Sequence, residues 1–321
     1  MLPNQSTPKI SKSVTSASVV TCAVVQGNIR RGTTDVLGSL SQCVDHVILS
    51  TWDDEPDNII PKGNWQVVLS RKPSVTGYSH RNFQRLSTAA GLRTARELGA
   101  THVLKWRTDM LATQLDIAKL LAWSQADVLT GMRSRLVTCA FRNLTVRQDW
   151  FSSIPDLFAF SDINLMQMLW DDEDFDYGLQ MNVPASMAKE CGSEWTLRKD
   201  AAGLYCAEAE LYAIFKSRLQ SYLVATLHHI DIAKKYMRLI DHRRLGICWF
   251  GEQGFRSIPQ ALQHPWWTES LWLRGEPIVS EWAYPEAGLI KKLKAKYQTP
   301  RIIRREQELQ DGWYKAYKCR K

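Results

Sequence analysis

The chain reads as an α/β protein with a mostly parallel central sheet flanked by helices. Three observations lead there. Short β-branched apolar runs alternate with segments of helical length. Each run breaks on turn-forming or polar residues. One run, His102 to Trp106, stops on a charged cluster of Lys105, Arg107 and Asp109. Strands and helices alternating at this rhythm build βαβ units, and open parallel sheets place ligand chemistry at the carboxyl ends of their strands.

The elements follow in order. Residues Met1 to Ser16 are polar and Ser/Thr-rich, a disordered tail by composition. Val19 to Val25 is a buried strand that breaks at Gln26-Gly27-Asn28. Thr33 to Gln42 suits a helix capped by Thr33 or Thr34. His46 to Thr51 is a second strand running into Trp52-Asp53-Asp54-Glu55-Pro56, and Trp65 to Ser70 a third. Asn82 to Leu98 is a helix closed by Gly99. Val103 to Trp106 is the next strand, Leu115 to Trp123 a helix, and Ala126 to Thr130 a strand. Beyond residue 140 the pattern is less regular and richer in aromatics, with helices expected over Asp162 to Trp170 and Ala207 to Arg218. We divide the chain into a tail (1–16), a catalytic-type domain (17–240) and an aromatic, basic C-terminal extension (241–321).

A hydrophobic content of 45% with 23% charged residues is that of a globular protein. The net charge of +8 suggests an anionic partner: a nucleotide, a phosphorylated glycolipid, a membrane surface or nucleic acid. Basic residues crowd the C-terminal part from Lys291 onward. Seven scattered cysteines without a Cys-x-x-Cys pair signal no zinc cluster and fit reduced thiols in a cytoplasmic setting. The apolar stretch Val14 to Val25 is broken by Ser and Thr and lacks a cleavage pattern, so it reads as tail plus first strand rather than signal peptide. No apolar run approaches the roughly 18–20 residues of a membrane span.

Several residues have the chemistry of a site. Gly27 permits close approach of backbone to a phosphate or base, although a plain turn explains it equally. There is neither a Gly-x-Gly-x-x-Gly nor a Walker loop. Asp109 has the oxygen chemistry to ligate Mg2+ or Mn2+, or to serve as a salt-bridge partner or helix cap. Asn82, Arg85 and Ser87, with Arg81, fall in the first turns of a helix, where dipole and guanidinium favour an anion; the alternative is a solvated face. Glu208 and Glu210, two apart, lie on different helix faces, so one of them at most points inward as a base; without other support they read as solvent-facing helix glutamates. Asp171 to Asp176 is an acidic run without calcium-loop spacing and reads as a solvated loop. Among the Trp residues, Trp266, Trp267, Trp272 and Trp282 have faces suited to sugar rings or to a core.

Certain phrases occur together and in order: Val24–Ile29 (VVQGNI), Leu49–Trp52 (LSTW), Asn82–Leu92 (NFQRLSTAAGL), Leu104–Asp109 (LKWRTD), Phe160–Asp162 with Leu169–Asp171, and Ala207–Tyr212 (AEAELY). Over residues 19 to 220 the chain thereby resembles the WavE family, glycosyltransferase-like proteins associated with lipopolysaccharide core synthesis. The resemblance implies a GT-A-like nucleotide-sugar fold. Gln26, Gly27, Thr51, Trp52, Asn82, Arg85, Ser87 and Arg107 would bind the nucleotide-sugar donor. Asp109 would hold a divalent metal, Mn2+ or Mg2+. Glu210, Glu208 and Asp162 would be the catalytic carboxylates, and the acceptor a glycolipid or polysaccharide. The enzyme would be cytoplasmic, with its basic C-terminus at an anionic membrane surface. Asn28 stands where the family carries Pro, Ala209 or Glu210 where it carries a Gln, and Asp109 is a single Asp rather than an Asp-x-Asp pair. Two other classes share these features: a non-catalytic membrane- or nucleic-acid-binding protein, and a sugar nucleotidyltransferase.

Overall fold

The computed structural model describes residues 18–77, 80–126, 131–139, 142–143, 152–179, 207–228, 231–251, 254–255, 269, 273, 304–305 and 307–320. Its first strand, β1 (Thr21–Gln26), is buried along its whole length. The apolar run reads that way because both faces of a parallel sheet are covered. Helix α1 (Thr33–Leu40) leads to β2 (His46–Trp52), which pairs parallel with β1 and with β3 (Gln66–Ser70). Helix α2 (Arg81–Glu97) then carries the chain back across the sheet to β4 (His102–Arg107), parallel to β1 on its other side. Gly99 at φ +76° closes that turn, as the sequence suggests.

After β4 come β5 (Met110–Ala112) and α3 (Ile117–Ser124), capped by the Asp116 side chain on the Lys119 amide. Two short strands follow, β6 (Leu136–Thr138) and, beyond the small β7–β8 pair (Arg142–Asn143, Ser152–Ser153), β9 (Ala159–Asp162). Among the described residues, helices α4 (Ile163–Trp170) and α5 (Ala207–Leu223) follow, then β10 (Met237–Leu239), β11 (Ile247–Gly251) and β12 (Gly254–Phe255), with a further helical stretch over 307–318.

The main sheet has seven strands in the order β10-β6-β9-β4-β1-β2-β3. It is parallel except for β9, which runs antiparallel to β4 and β6. A second sheet of three strands, β12-β11-β5, stands against the carboxyl end of β4. Alternating residues of the central strands feed two cores. Cys22, Val24, Ile48 and Val103 pack under α2, α4 and α5, whereas Ala23, Val25, Leu49, Leu104 and Trp106 pack with α1 and β11. Helix α2 reaches the sheet closely at Gly91, where a Cβ would stand 2.3 Å from Val24 Cγ1.

The sequence-read boundaries need several changes. Helix α1 ends two residues early and Gly32 is its N-cap residue; Thr33 lies inside the helix, its hydroxyl bonded to the backbone at Arg30 and Thr108. Of the strand expected over Ala126 to Thr130, residues 127–130 lie outside the described residues. Asp162 caps α4 instead of opening it, and α5 runs five residues past Arg218.

Candidate active site at the reversal of the sheet

The chain winds outward from β1 through β2 to β3, then returns to lay β4 on the opposite side of β1. The crevice outside the carboxyl ends of β1 and β4 is therefore a topological switch point, where open α/β sheets take ligands. Residues Gln26-Gly27-Asn28 form one wall and Arg107-Thr108-Asp109 the other, with Gln26 in register with Arg107.

The turn after β1 requires glycine. Gly27 sits at φ +120°, and a Cβ there would lie 3.1 Å from the Thr108 hydroxyl. Hydrogen bonds tie the two walls together. The Thr108 amide donates to Gln26 O (3.2 Å), the Thr108 hydroxyl to Asn28 O (2.6 Å) and the Thr33 hydroxyl to Thr108 O (3.2 Å). Trp52 Nε1 donates to Asn28 Oδ1 (2.7 Å), the Ile29 amide to Glu55 Oε1 (3.0 Å) and the Thr51 hydroxyl to that same oxygen (3.4 Å). Ser87 comes down from α2 so that its hydroxyl meets Gln26 Oε1 at 3.1 Å. Gln26, Gly27, Thr51, Trp52, Ser87 and Arg107 are thus brought together by the fold, with Asn28, Glu55 and Thr108 added to them.

Arg107 governs the charge of the crevice. Its Nε and Nη2 form a two-pronged fork on Asp109 (2.9 and 2.8 Å), and Nη1 donates to Asp156 Oδ2 (2.9 Å). Burial by itself would weaken the guanidinium's hold on its proton, but the carboxylates of Asp156 and Asp109 outweigh it and raise the affinity above the usual range. Asp156 is burdened by burial, yet Arg107 and then Lys105 hold its carboxyl below the ordinary value. Lys105 points from β4 into the core beneath them. It is completely buried, donates to the Asp156 backbone carbonyl and lies 5.1 Å from the Trp170 ring. Burial pushes its ammonium down to about 8, against opposing attraction from Asp156.

The remaining expected site residues are elsewhere. Asn82 is fully buried and its Nδ2 faces three carbonyls, Val75 (2.8 Å), Tyr177 (3.2 Å) and Leu179 (3.1 Å), so it pins two loops instead of facing an anion. Arg85 is likewise buried, donates to Asp171 O at 2.8 Å, and stands within 5.8 Å of the Trp170 ring and 4.9 Å of the Phe175 ring. Burial lowers its pKa to about 10. Its position at the start of a helix suggested anion binding; its length instead carries the guanidinium to the carbonyl end of α4, which the acidic segment also surrounds. Arg218 donates to Asp171 O (3.0 Å) and pairs with Asp174, Arg93 pairs with Asp172 (2.5 Å), and Tyr177 donates to Asp172 (2.6 Å). That segment is the solvent-facing loop the sequence suggests, with Glu173, Asp174 and Asp176 exposed, and ion pairs to Arg93 and Arg218 hold it to the helices.

Among the carboxylates, Glu210 is buried in an ion pair with Arg81 at 3.0 Å, both side chains 3% exposed. Glu208 is half-buried and close enough to Lys105 to raise its affinity for a proton. Asp162 is a correction. Because β9 is antiparallel, Asp162 pairs with His102 at the opposite end of β4 from Arg107, and its carboxylate caps α4 on the amides of Asn164 and Leu165. The parallel-strand rhythm gave no means of foreseeing that reversal. Asp156 escaped the sequence reading because Pro155-Asp156 belongs to no periodic element, and only the strand order brings it to Arg107. Trp266, Trp267, Trp272 and Trp282 lie outside the described residues.

A divalent cation at Asp109 does not fit the arrangement as it stands. Both Asp109 oxygens accept from Arg107, and no group of three His, Cys, Asp or Glu among the described residues is disposed to hold a metal. Two hollows of about 300 and 390 Å³ open beside Asp171 and Glu173, away from the strand ends; the switch point is favoured because open α/β sheets take ligands at the carboxyl ends of their strands.

No protein-family model matches the chain, and no curated protein does. Among solved structures, the crystal structure of HddC from Yersinia pseudotuberculosis is similar over 46% of this chain and 78% of that one, at 13% identity and a TM-score of 0.28. A likeness so distant carries no argument, so fold and site rest on the geometry above.

Proposed function

We propose that the protein is a glycosyltransferase of the WavE type, moving a sugar from a nucleotide-sugar donor to a glycolipid or polysaccharide acceptor in the crevice between β1 and β4. The observation that carries this reading is the Arg107–Asp109 fork at the switch point, facing a turn that only glycine fits. In this reading Gln26, Gly27, Thr51 and Trp52 flank the nucleotide. Arg107 exchanges one carboxylate for the donor's diphosphate, which accepts the electron pair of the breaking glycosidic bond. A guanidinium already held in a partly dry site is oriented before charge develops, and such preorganised charge is the main catalytic term in many enzymes. The acceptor hydroxyl attacks the anomeric carbon and gives its proton to a carboxylate. Glu210, ion-paired with Arg81, and Glu208, half-buried near Lys105, are the two carboxylates for that role. The GT-A-like fold fits the mostly parallel sheet flanked by helices.

The test is nucleotide release from a panel of nucleotide sugars, with Mn2+, Mg2+ or EDTA, comparing wild type with Asp109→Asn and Arg107→Met. The expected result is release from one donor, lost in Arg107→Met. Release unaffected by EDTA would remove the metal that the resemblance implies. Pyrophosphate release from a nucleoside triphosphate would point to a nucleotidyltransferase instead. Binding of no donor at all would favour the non-catalytic reading.

A further inference from the structure

The helical stretch over 307–318 belongs to the C-terminal extension, yet it is tied to β11 and α1. Gln310, 3% exposed, accepts from the Trp249 amide through Oε1 at 3.3 Å, and its carbonyl accepts from Cys248 Sγ at 3.5 Å. Both partners lie on β11, which pairs antiparallel with β5 so that Trp249 faces Met110, the residue after Asp109. The Trp249 ring, 5% exposed, lies 5.9 Å from the Arg107 guanidinium. The same stretch also holds α1: Tyr317 donates to Asp35 O (3.3 Å) and Lys318 pairs with the Asp35 carboxylate (2.9 Å). Arg320 then reaches Thr113 O beyond β5 (3.5 Å).

From this chain of contacts we infer that Gln310 and Trp249 are positioning residues for the Arg107–Asp109 unit. A guanidinium fork has directional donors, so its aim depends on whatever fixes the plane of the arginine. Asp109 and Asp156 fix that plane at its edges, and the Trp249 ring limits it on a face, where a cation–π contact is favourable. Gln310 in turn fixes the backbone from which Trp249 projects. The inference depends on the proposed function only in treating Arg107 and Asp109 as a site.

The test uses full-length protein in three variants. Gln310→Met keeps the side-chain volume and loses the acceptor. Trp249→Leu removes the ring face, whereas Trp249→Phe retains it. Amide hydrogen exchange is followed across the sheet, together with the affinity for uridine and guanosine diphosphates. For Gln310→Met and Trp249→Leu, the amides of residues 109–112 should exchange about tenfold faster. Those of β2 and β3 should be unchanged, the tighter-binding diphosphate should weaken, and both effects should recover in Trp249→Phe. Acceleration spread evenly over β1, β2 and β4 would reduce these residues to general stabilisers and overturn the inference, as would unchanged exchange at 109–112. If wild type binds neither diphosphate, the exchange result still decides the positioning role, and the donor panel alone decides the proposed function.

Discussion

Two buried charged groups set the character of this protein at the scale of single residues. Lys105 normally titrates near 10.5, and burial holds it at about 8 in the folded chain. Between those values the unfolded chain binds the proton that the native one has released, so stability rises with pH across that window. Below about pH 8 both states are protonated and the burial penalty is present in full. Urea unfolding of wild type should therefore show stability climbing from pH 8 toward 10.5, with the climb missing in Lys105→Met. Equal slopes would mean that the ammonium is not held in a dry site. Glu210 shows the opposite arrangement, a carboxylate neutralised by Arg81 with both side chains 3% exposed. Removing one member of such a pair strands the other, a loss of about 3–5 kcal/mol. Glu210→Ala should lose that much in an unfolding titration, and any loss of activity in it must first be separated from this loss of stability. A cost below about 1 kcal/mol would place the pair in contact with water.

Elements were legible where the chain is long enough to show a period. The first two strands are apolar runs that a doubly covered sheet demands, and α2 ends on the glycine that its left-handed exit requires. Strands β6, β9 and β10 were missed because three or four residues cannot display an alternation, and their pairing is decided by partners far along the chain. The candidate site was partly legible for the same reason. Gln26, Gly27, Thr51, Trp52 and Arg107 sit at strand ends that the pattern marks. The sites of Asn82, Arg85 and Asp162 depend on helix packing and one antiparallel strand, which no local pattern encodes. One element carries a local conflict. Val224, just past α5, adopts φ 52° although its branched side chain is 92% exposed and gains nothing from packing. A non-glycine residue there costs about 1–2 kcal/mol. Val224→Gly should accordingly raise the urea midpoint by about 0.5–1 kcal/mol in stability, less than the full strain because glycine is freer when unfolded. A midpoint that falls would show that the valine contributes a contact after all.

At the scale of the whole molecule the question is what the excess of positive charge is for. The net charge is +8, and no helix among the described residues is long and apolar enough to cross a membrane. Lys291, Lys292, Lys294, Lys296 and Arg301 lie outside the described residues, but the final stretch is informative. Its aromatic residues Trp313, Tyr314 and Tyr317 pack against the core beside α1 and β11, and Lys318 is already paired with Asp35. Arg304, Arg305 and Lys315 are exposed, although Arg304 also pairs with Glu308 at 2.9 Å. Deleting the segment would therefore confound two effects, since it would strip a core face as well as remove charge. Neutralising Arg304, Arg305 and Lys315 to Gln isolates the charge. If these residues bring the protein to an anionic surface, each contributes about 1 kcal/mol, so the triple variant should bind phosphatidylserine vesicles about 100-fold more weakly. The deficit should shrink as salt is raised, because screening removes the attraction in wild type as well. The unfolding midpoint should stay within about 0.5 kcal/mol of wild type, as expected for exposed positions. Vesicle affinity unchanged by the triple substitution would sink the membrane role of this helix. The docking of its aromatic face would then be its whole purpose, consistent with a segment that serves the crevice through Gln310 and Trp249.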